Sequence, residues 1–270
     1  MSAATAPGLG HALDLSSTVA TPFSRLVRVE LRKTWDTRAG LWLLISTAVL
    51  TAAVMIIQLA VVVAQDLNVS YNDFLTSTNF SIAILRPVLG ILLLTSEWSQ
   101  RTAMVSFSLE PRRPLVIAAK FVVGIGLAIA AVVIALVLAT ICNALYGALS
   151  DQPVVWDQSV QQTAYFVLLQ VVGMLTGFAF AALLLNSPAA IVLYMVYSFV
   201  LPGLFGLGAA LIGWFEDLRP WIDFNFAQSG LFDESGMSGS EWAHFAVSGF
   251  IWLVVPLTIG VWRVLRAEVK

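Results

Sequence analysis

Six apolar stretches in this chain are each long enough to cross a lipid bilayer as a helix. A crossing takes about 20 residues, and hydrocarbon offers no water to a backbone that is not bonded within its own helix. The sequence predicts spans over residues 41–64, 79–96, 115–146, 163–185, 188–213 and 243–262. The first is interrupted by Gln58, and the second holds Arg86 and Pro87. The third is too long for one hydrocarbon crossing, so its first turns are expected to project into the cytoplasm. Composition agrees: mean hydropathy is +0.88 and charged residues make up 11%, against about a quarter in soluble domains.

The direction of the spans follows from the charges. Arg25, Arg28, Arg32, Lys33 and Arg38 precede the first span; Arg101, Arg112, Arg113 and Lys120 fall between the second and third; Arg263, Arg266 and Lys270 follow the sixth. Twelve of the fourteen Lys and Arg thus lie on one side, which the positive-inside rule makes cytoplasmic, with both termini inside. The opposite loops carry Asp66, Asp73, Asp151, Asp157, Glu216, Asp217, Asp223, Asp233, Glu234 and Glu241, with Arg219 as their only base. The expected architecture is an all-α membrane protein in three parts. A disordered cytoplasmic tail covers 1–21, an amphipathic helix 22–40, and a six-span transmembrane domain 41–270.

Several function classes are poorly served. The first twenty residues lack a basic segment followed by an apolar core, so they do not read as a cleavable signal peptide. Cys142, the only cysteine, cannot form an internal disulfide. A net charge of −2 gives no sign of nucleic-acid binding. The two histidines, His11 and His244, cannot supply a metal set, and they leave a Ser/His intramembrane protease poorly equipped. No Asp or Glu lies inside a span, whereas an ion-coupled carrier ordinarily uses such carboxylates. Neither inverted halves nor a short repeat is visible.

Two segments on the cytoplasmic side ask for more than topology. In PFSRLVRVELRKTWDTR, residues 22–38, Phe23, Val27, Leu31 and Trp35 form one helical stripe, and Arg25, Arg28, Arg32 and Asp36 the other face. Such a basic amphipathic helix suits the inner membrane interface, as a plain anchor or as a connector to the first span. The second segment is EWSQRTAMVSFSLEPRRP, residues 97–114. Glu97 stands at the cytoplasmic end of the second span, where a carboxylate can remain hydrated. Arg101, Met104 and Phe107 would share a face of a short helix, while the alternation of Val105, Phe107 and Leu109 suits an extended strand equally. Pro111 and Pro114 break regular structure in the residues before them. Such a segment fits a partner's groove, or it is an ordinary basic inside loop.

These segments resemble the permease subunit of type-2 ATP-binding-cassette (ABC) exporters, particularly the actinobacterial kind. The resemblance rests on RLVRVELRKTWDTRAGLWLL leading into the first span and LLLTSEWSQRTAMVSFSLEPRRPLVIAAK between the second and third, and extends over residues 23–270. It implies a connecting helix with Arg25, Arg28, Leu31, Arg32 and Trp35, and a coupling helix in which Glu97, Arg101, Thr102, Met104 and Phe107 face a cytosolic ABC ATPase subunit. Arg101 departs from the pattern, since many members have Gly there. The resemblance also implies a bacterial plasma membrane protein working as a homodimer. The chain has no G-x-x-x-x-G-K-[ST] phosphate loop. ATP and Mg would therefore be held, and ATP hydrolysed, by the separate ATPase, and this chain would bind no cofactor and be no enzyme itself.

The remaining candidates lie towards the outer side. Pro202, Gly203, Gly206, Gly208 and Gly213 are expected to weaken the end of the fifth span, and Trp214, Phe215, Trp221, Phe224 and Phe226 suit the outer interface. Family members place a re-entrant helical hairpin here. Arg86, Pro202, Gly203 and Phe205 are the candidate pathway or gate residues. A charge inside a span is costly and marks function by default, though Arg86 could also snorkel outward or pair with a carboxylate such as Asp73. Gly173 and Gly177 have the spacing for close helix packing. An ion-coupled carrier or a membrane scaffold without an ATPase is the alternative to the transporter reading.

Overall fold

A computed structural model describes residues 21–100, 102–150, 152–233 and 235–266, without the side chains of Phe80, Ala103 and Phe107. Of the tail expected over 1–21, only Thr21 falls among them. The chain is a helical, multi-pass membrane protein. Apart from one bridge between Ser70 and Val155, no strand occurs among the described residues.

Helix α1, Phe23–Asp36, ends at Thr37, whose extended backbone and side chain cap α2, Arg38–Ala64. The amphipathic helix is therefore shorter than the expected 22–40, and Arg38 already belongs to the first span. Helix α3, Tyr71–Ser99, begins eight residues ahead of the predicted span because Ser70 and Asp73 form a reciprocal capping box. The short α4, Ala103–Leu109, precedes α5, Arg113–Leu149, which starts with Pro114 in its first turn. Helix α6, Val160–Leu184, carries a second capping box at Ser159 and Gln162, and left-handed Leu185 ends it. Then come α7, Ser187–Leu211, α8, Gly213–Ile222, α9, Phe224–Ala227, a 3₁₀ turn at Ser229–Phe232 and α10, Gly239–Arg266.

Six helical segments are long and apolar enough to cross a membrane: α2, Ser81–Ser99 of α3, α5, α6, α7 and α10. In the most apolar stretch of each, 61% of α3 and 56% of α6 is buried, against 28% of α5 and 17% of α2, α7 and α10. The bundle is thus built around the α3–α6 pair, with α2, α7 and α10 presenting broad apolar faces outward. Water does not press helices together inside lipid, so close backbone approach and interhelical hydrogen bonds must. Gly177 supplies the first: a Cβ there would stand 2.4 Å from the Pro87 carbonyl oxygen of α3. Gly173, one turn earlier, meets nothing within 4 Å and so has no part in that contact, contrary to the expectation for the pair.

Pro87 lies inside α3 and has no N–H to give the carbonyl of Ala83, four residues back. Tyr194 of α7 fills the vacancy, its hydroxyl donating to Ala83 O at 3.1 Å. Two further prolines leave a similar mark. Wide π turns at Val196–Val200 in α7 and Phe250–Val254 in α10 contain the residues four before Pro202 and Pro256, the carbonyls with which those rings would clash.

The basic segments gather at one end. Arg112 Nη2 donates to the carbonyl of Thr21, and Arg113 Nη1 to that of Leu265, so α1, the α4–α5 turn and the end of α10 meet there. At the opposite, acidic end, the α2–α3 and α5–α6 connections are tied by Tyr71 N to Val155 O, Asn72 N to the Asp157 carboxylate and Tyr146 Oη to Leu67 O.

Candidate functional site

At the basic end a four-charge cluster joins α1, α3 and α5. Glu30 of α1 is 3% exposed, Glu97 of α3 also 3%, and Lys120 of α5 only 2%. Lys120 Nζ lies 2.5 Å from Glu30 Oε2 and 3.4 Å from Glu97 Oε1, and donates to the Leu93 carbonyl at 3.2 Å. Lys33 Nζ, on a half-exposed side chain, reaches Glu30 Oε1 and Glu97 Oε1, each at 2.7 Å. Two carboxylates and two ammonium groups thus form a neutral set, the condition under which buried charge is tolerated. Burial pulls the Lys33 pKa down, but the charge and hydrogen bond of Glu30, then those of Glu97, outweigh it and leave the pKa raised.

This arrangement corrects the expectation that Glu97 stays hydrated. Its oxygens are enclosed because Lys33 and Lys120 replace the water, and Oε2 is buried without a partner. It also revises the face of α1 that meets the bundle. Val27 and Leu31 pack against the core as the apolar stripe requires, but buried Glu30 and Thr34 lie beside them. Phe23 and Trp35, at the stripe's ends, are 40% and 47% exposed. Arg25 and Arg28 are exposed, and exposed Arg32 pairs with Asp36 one turn on.

Helix α4 hangs from this cluster. Ser106 Oγ donates to Glu97 Oε1 at 3.0 Å, and Thr102 N to the Glu97 carbonyl at 2.8 Å. The segment is helical, which settles the choice that its alternating apolar residues left open. Three of its apolar side chains are uncovered: Met104 is 52% exposed, Val105 60% and Leu109 80%. Arg101 and the side chain of Phe107 lie outside the described residues. A cleft of about 270 Å³ separates α1 from α4, with Lys33, Thr37, Glu97, Thr102 and Val105 on its walls. Behind α4, the Arg112 guanidinium grips Glu110 through Nε at 2.7 Å and Nη2 at 3.0 Å. That fork and its hydrogen bonds lower the Glu110 pKa. Arg112 and Arg113 therefore fasten the turn as well as carrying charge.

Pro202, Gly203 and Phe205 lie together on α7 beyond its π turn, where Gly203 faces open space. After the break at Ile212, α8 folds back along α7, with the Phe205 and Phe215 rings 6.0 Å apart. A Cβ at Gly208 would be 2.9 Å from the Phe215 ring, so glycine there permits the hairpin. Arg219 pairs with buried Asp223 at 3.2 Å and covers the Phe226 ring at 4.3 Å. The Trp221 ring meets the His244 ring edge-on at 4.5 Å.

Arg86 is not part of that group. It lies in α3, 4% exposed, beside a cavity of about 190 Å³ that also takes in Asn79, Gln170, Gly173, Tyr194, Asn225 and Gln228. It neither snorkels nor meets Asp73, which is committed to capping α3 at Ser70. No carboxylate among the described residues comes within ion-pair distance of it.

Glu30 and Lys120 are the residues that sequence reasoning missed. Their signal was a glutamate beside the apolar stripe of a basic helix and a lone lysine embedded in an apolar run. Among the described residues, no group of three or more His, Cys, Asp and Glu side chains could hold a metal ion. Compared with known proteins, the sequence matches no family model and no curated relative.

Proposed function

We propose that the chain is the membrane-spanning permease subunit of an ATP-driven type-2 ABC transporter, an exporter by its resemblance, working as two copies. The observation that carries this reading is helix α4. It offers Met104, Val105 and Leu109 to the surroundings at the basic end, yet its Ser106 is bonded to Glu97, the node where α1, α3 and α5 meet. An ordinary inside loop needs positive charge; it does not need an uncovered apolar helix wired to three others. A cytosolic ATPase that grips α4 would move α3 directly and α1 and α5 through Lys33 and Lys120. ATP and Mg belong to that ATPase, since this chain has no phosphate loop. The α7–α8 hairpin, with Pro202, Gly203 and Phe205, would form the outer closure, and the exposed faces of α2, α7 and α10 would meet lipid and the second copy.

The test is co-purification with a cytosolic ATPase, followed by Met104→Asp with Leu109→Asp. Both side chains are exposed, so the variant should fold and assemble in the membrane while losing the ATPase and transport together. Full ATPase binding and transport in the double variant would remove α4 from the coupling role.

A further inference from the structure

Among the described residues, the one charged side chain inside the bundle without a counter-ion is Arg86. A guanidinium stays protonated in proteins, so Arg86 cannot escape its burial by becoming neutral. Leaving such a charge unpaired in the interior is strongly unfavourable, because neither water nor a counter-ion replaces its lost hydration. Its Nε and Nη2 atoms are both buried and both without a hydrogen-bond partner. These nitrogens share one edge of the guanidinium plane, the fork that takes two oxygens of a carboxylate or phosphoryl group in parallel. The unmet donors are therefore a matched pair presented in one direction.

No neighbouring oxygen accepts from that fork, and the neighbours' own donors are spent elsewhere. Tyr194 spends its hydroxyl hydrogen on the Ala83 carbonyl, Gln170 Nε2 donates to Asn79 Oδ1 at 3.0 Å, and Asn225 Nδ2 to the Tyr197 carbonyl at 3.3 Å. Asp223, the nearest acid in sequence to the cavity's Asn225, is occupied by Arg219 and by the amide of Phe226. The 190 Å³ beside Arg86 is open where Gly173 lacks a side chain. Ile82, Leu169 and Phe232 give it an apolar part next to the amides. The α9 and 3₁₀ segments at the acidic end contribute Asn225, Gln228 and Phe232, so the cavity lies beneath the structure that follows the α7–α8 hairpin.

We propose that Arg86 and this cavity form an oxyanion-binding site that takes a phosphoryl or carboxylate group, carried on an apolar body or free. That the anion is the transported cargo rests on the transporter reading; that it binds here does not, and the test uses this chain without any ATPase.

Purified full-length chain in neutral-detergent micelles is titrated with sodium phosphate and with decanoate, each against sodium chloride at equal ionic strength. In a second arm, nanodiscs of phosphatidylcholine are doped with phosphatidylglycerol, and bound lipid is counted by native mass spectrometry. At least one anionic probe should bind and raise the unfolding temperature. Phosphate alone would identify a free anion, and decanoate or phosphatidylglycerol an amphiphile headgroup. Arg86→Gln should weaken that binding at least ten-fold, and Arg86→Lys, which keeps charge but loses the fork, should fall between. Gly173→Leu fills the cavity with Arg86 intact and should also abolish binding, which keeps the test sound if Arg86→Gln fails to fold. No response to any anionic probe, a response equal to that of chloride or phosphatidylcholine, or unchanged binding in Gly173→Leu would overturn the proposal.

Discussion

Replacing Lys120 by Met tests whether the charge cluster holds the basic end together. Met has similar length and no charge, so the change removes one ammonium group and little volume. At an effective dielectric of about 20, attraction over 2.5 Å and 3.4 Å amounts to about 7 and about 5 kcal/mol. Much of that is offset by the cost of drying the lysine, several kcal/mol for a buried ion. What remains dominant in the variant is the penalty of leaving Glu30 and Glu97 enclosed with only half-exposed Lys33 between them, about 3–5 kcal/mol. Lys33→Met should cost far less, about 1 kcal/mol, because that side chain is 39% exposed and water screens its pairs. The joint change Glu30→Gln with Lys120→Met leaves Glu97 and Lys33 as a balanced pair and should recover most of the loss. Reversible unfolding by SDS in mixed micelles, followed by tryptophan fluorescence, measures all three. Equal costs for Lys33→Met and Lys120→Met, or no recovery in the double variant, would refute the cluster as a buried, mutually dependent set.

Three further outcomes follow from other contacts. Gly177→Ala should destabilise by about 1–3 kcal/mol through overpacking against the Pro87 backbone, 2.4 Å from the new Cβ; Gly173→Ala, with open space, should be near neutral in the same unfolding assay. Tyr194→Phe should cost about 1 kcal/mol by leaving the part-buried Ala83 carbonyl without its donor, and the cost should shrink in a Pro87→Ala background, where the helix regains its own N–H; equal costs in both backgrounds would contradict the account. The Glu110 pKa is lowered in the folded protein, so its bond to Arg112 contributes fully above the unfolded carboxylate value of about 4.3 and is lost as pH falls through the folded value. Hydrogen exchange at the Arg112 amide, which donates to Glu110 Oε1 at 3.2 Å, should lose protection below that window and hold it from pH 5 to 7.

How much of this was legible in the sequence depended on the range of the interaction. Spans were readable because hydropathy is a property of consecutive residues, and the capping residues Ser70 and Ser159 extend two of the helices by local bonds. The helix at α4 and the strand-like alternation of Val105, Phe107 and Leu109 were indistinguishable by period over so few residues. Glu97 was misjudged because its partners Lys33 and Lys120 come from other helices, the first 64 positions away. Arg86 was given a snorkelling route from its depth in the span alone, yet α6, α7 and the segments after α8 close around it. The GxxxG pair shows the same limit: spacing put Gly173 and Gly177 on one face, and only the path of α3 decides which touches a backbone and which borders a cavity.

Helix α3 is where these threads meet, and its geometry restricts how the two ends can communicate. Glu97 and Arg86 are eleven residues apart on it, about 16 Å along the axis. Between them lies Pro87, where the helix lacks an internal bond and borrows one from Tyr194. Gly177 meanwhile presses α6 onto the Pro87 backbone. A pull on α4 that displaces Glu97 is resisted on the basic side of this point by the ion pairs of Lys33 and Lys120, so the last turn of α3, the second half of α1 and the first turns of α5 must shift together. At Pro87 the hydroxyl–carbonyl bond of Tyr194 ties α3 to α7, the helix that continues into the α7–α8 hairpin. Pro87 and its borrowed bond thus stand beside the Arg86 cavity. In a Tyr194→Phe variant, motion imposed at α4 should reach Arg86 with less restraint from α7. Spin labels on Leu109 and Leu207 would then report broader distance distributions than in the parent chain. Identical distributions in both proteins would mean that α7 does not take its position from Ala83, and that the two ends move through α6 instead.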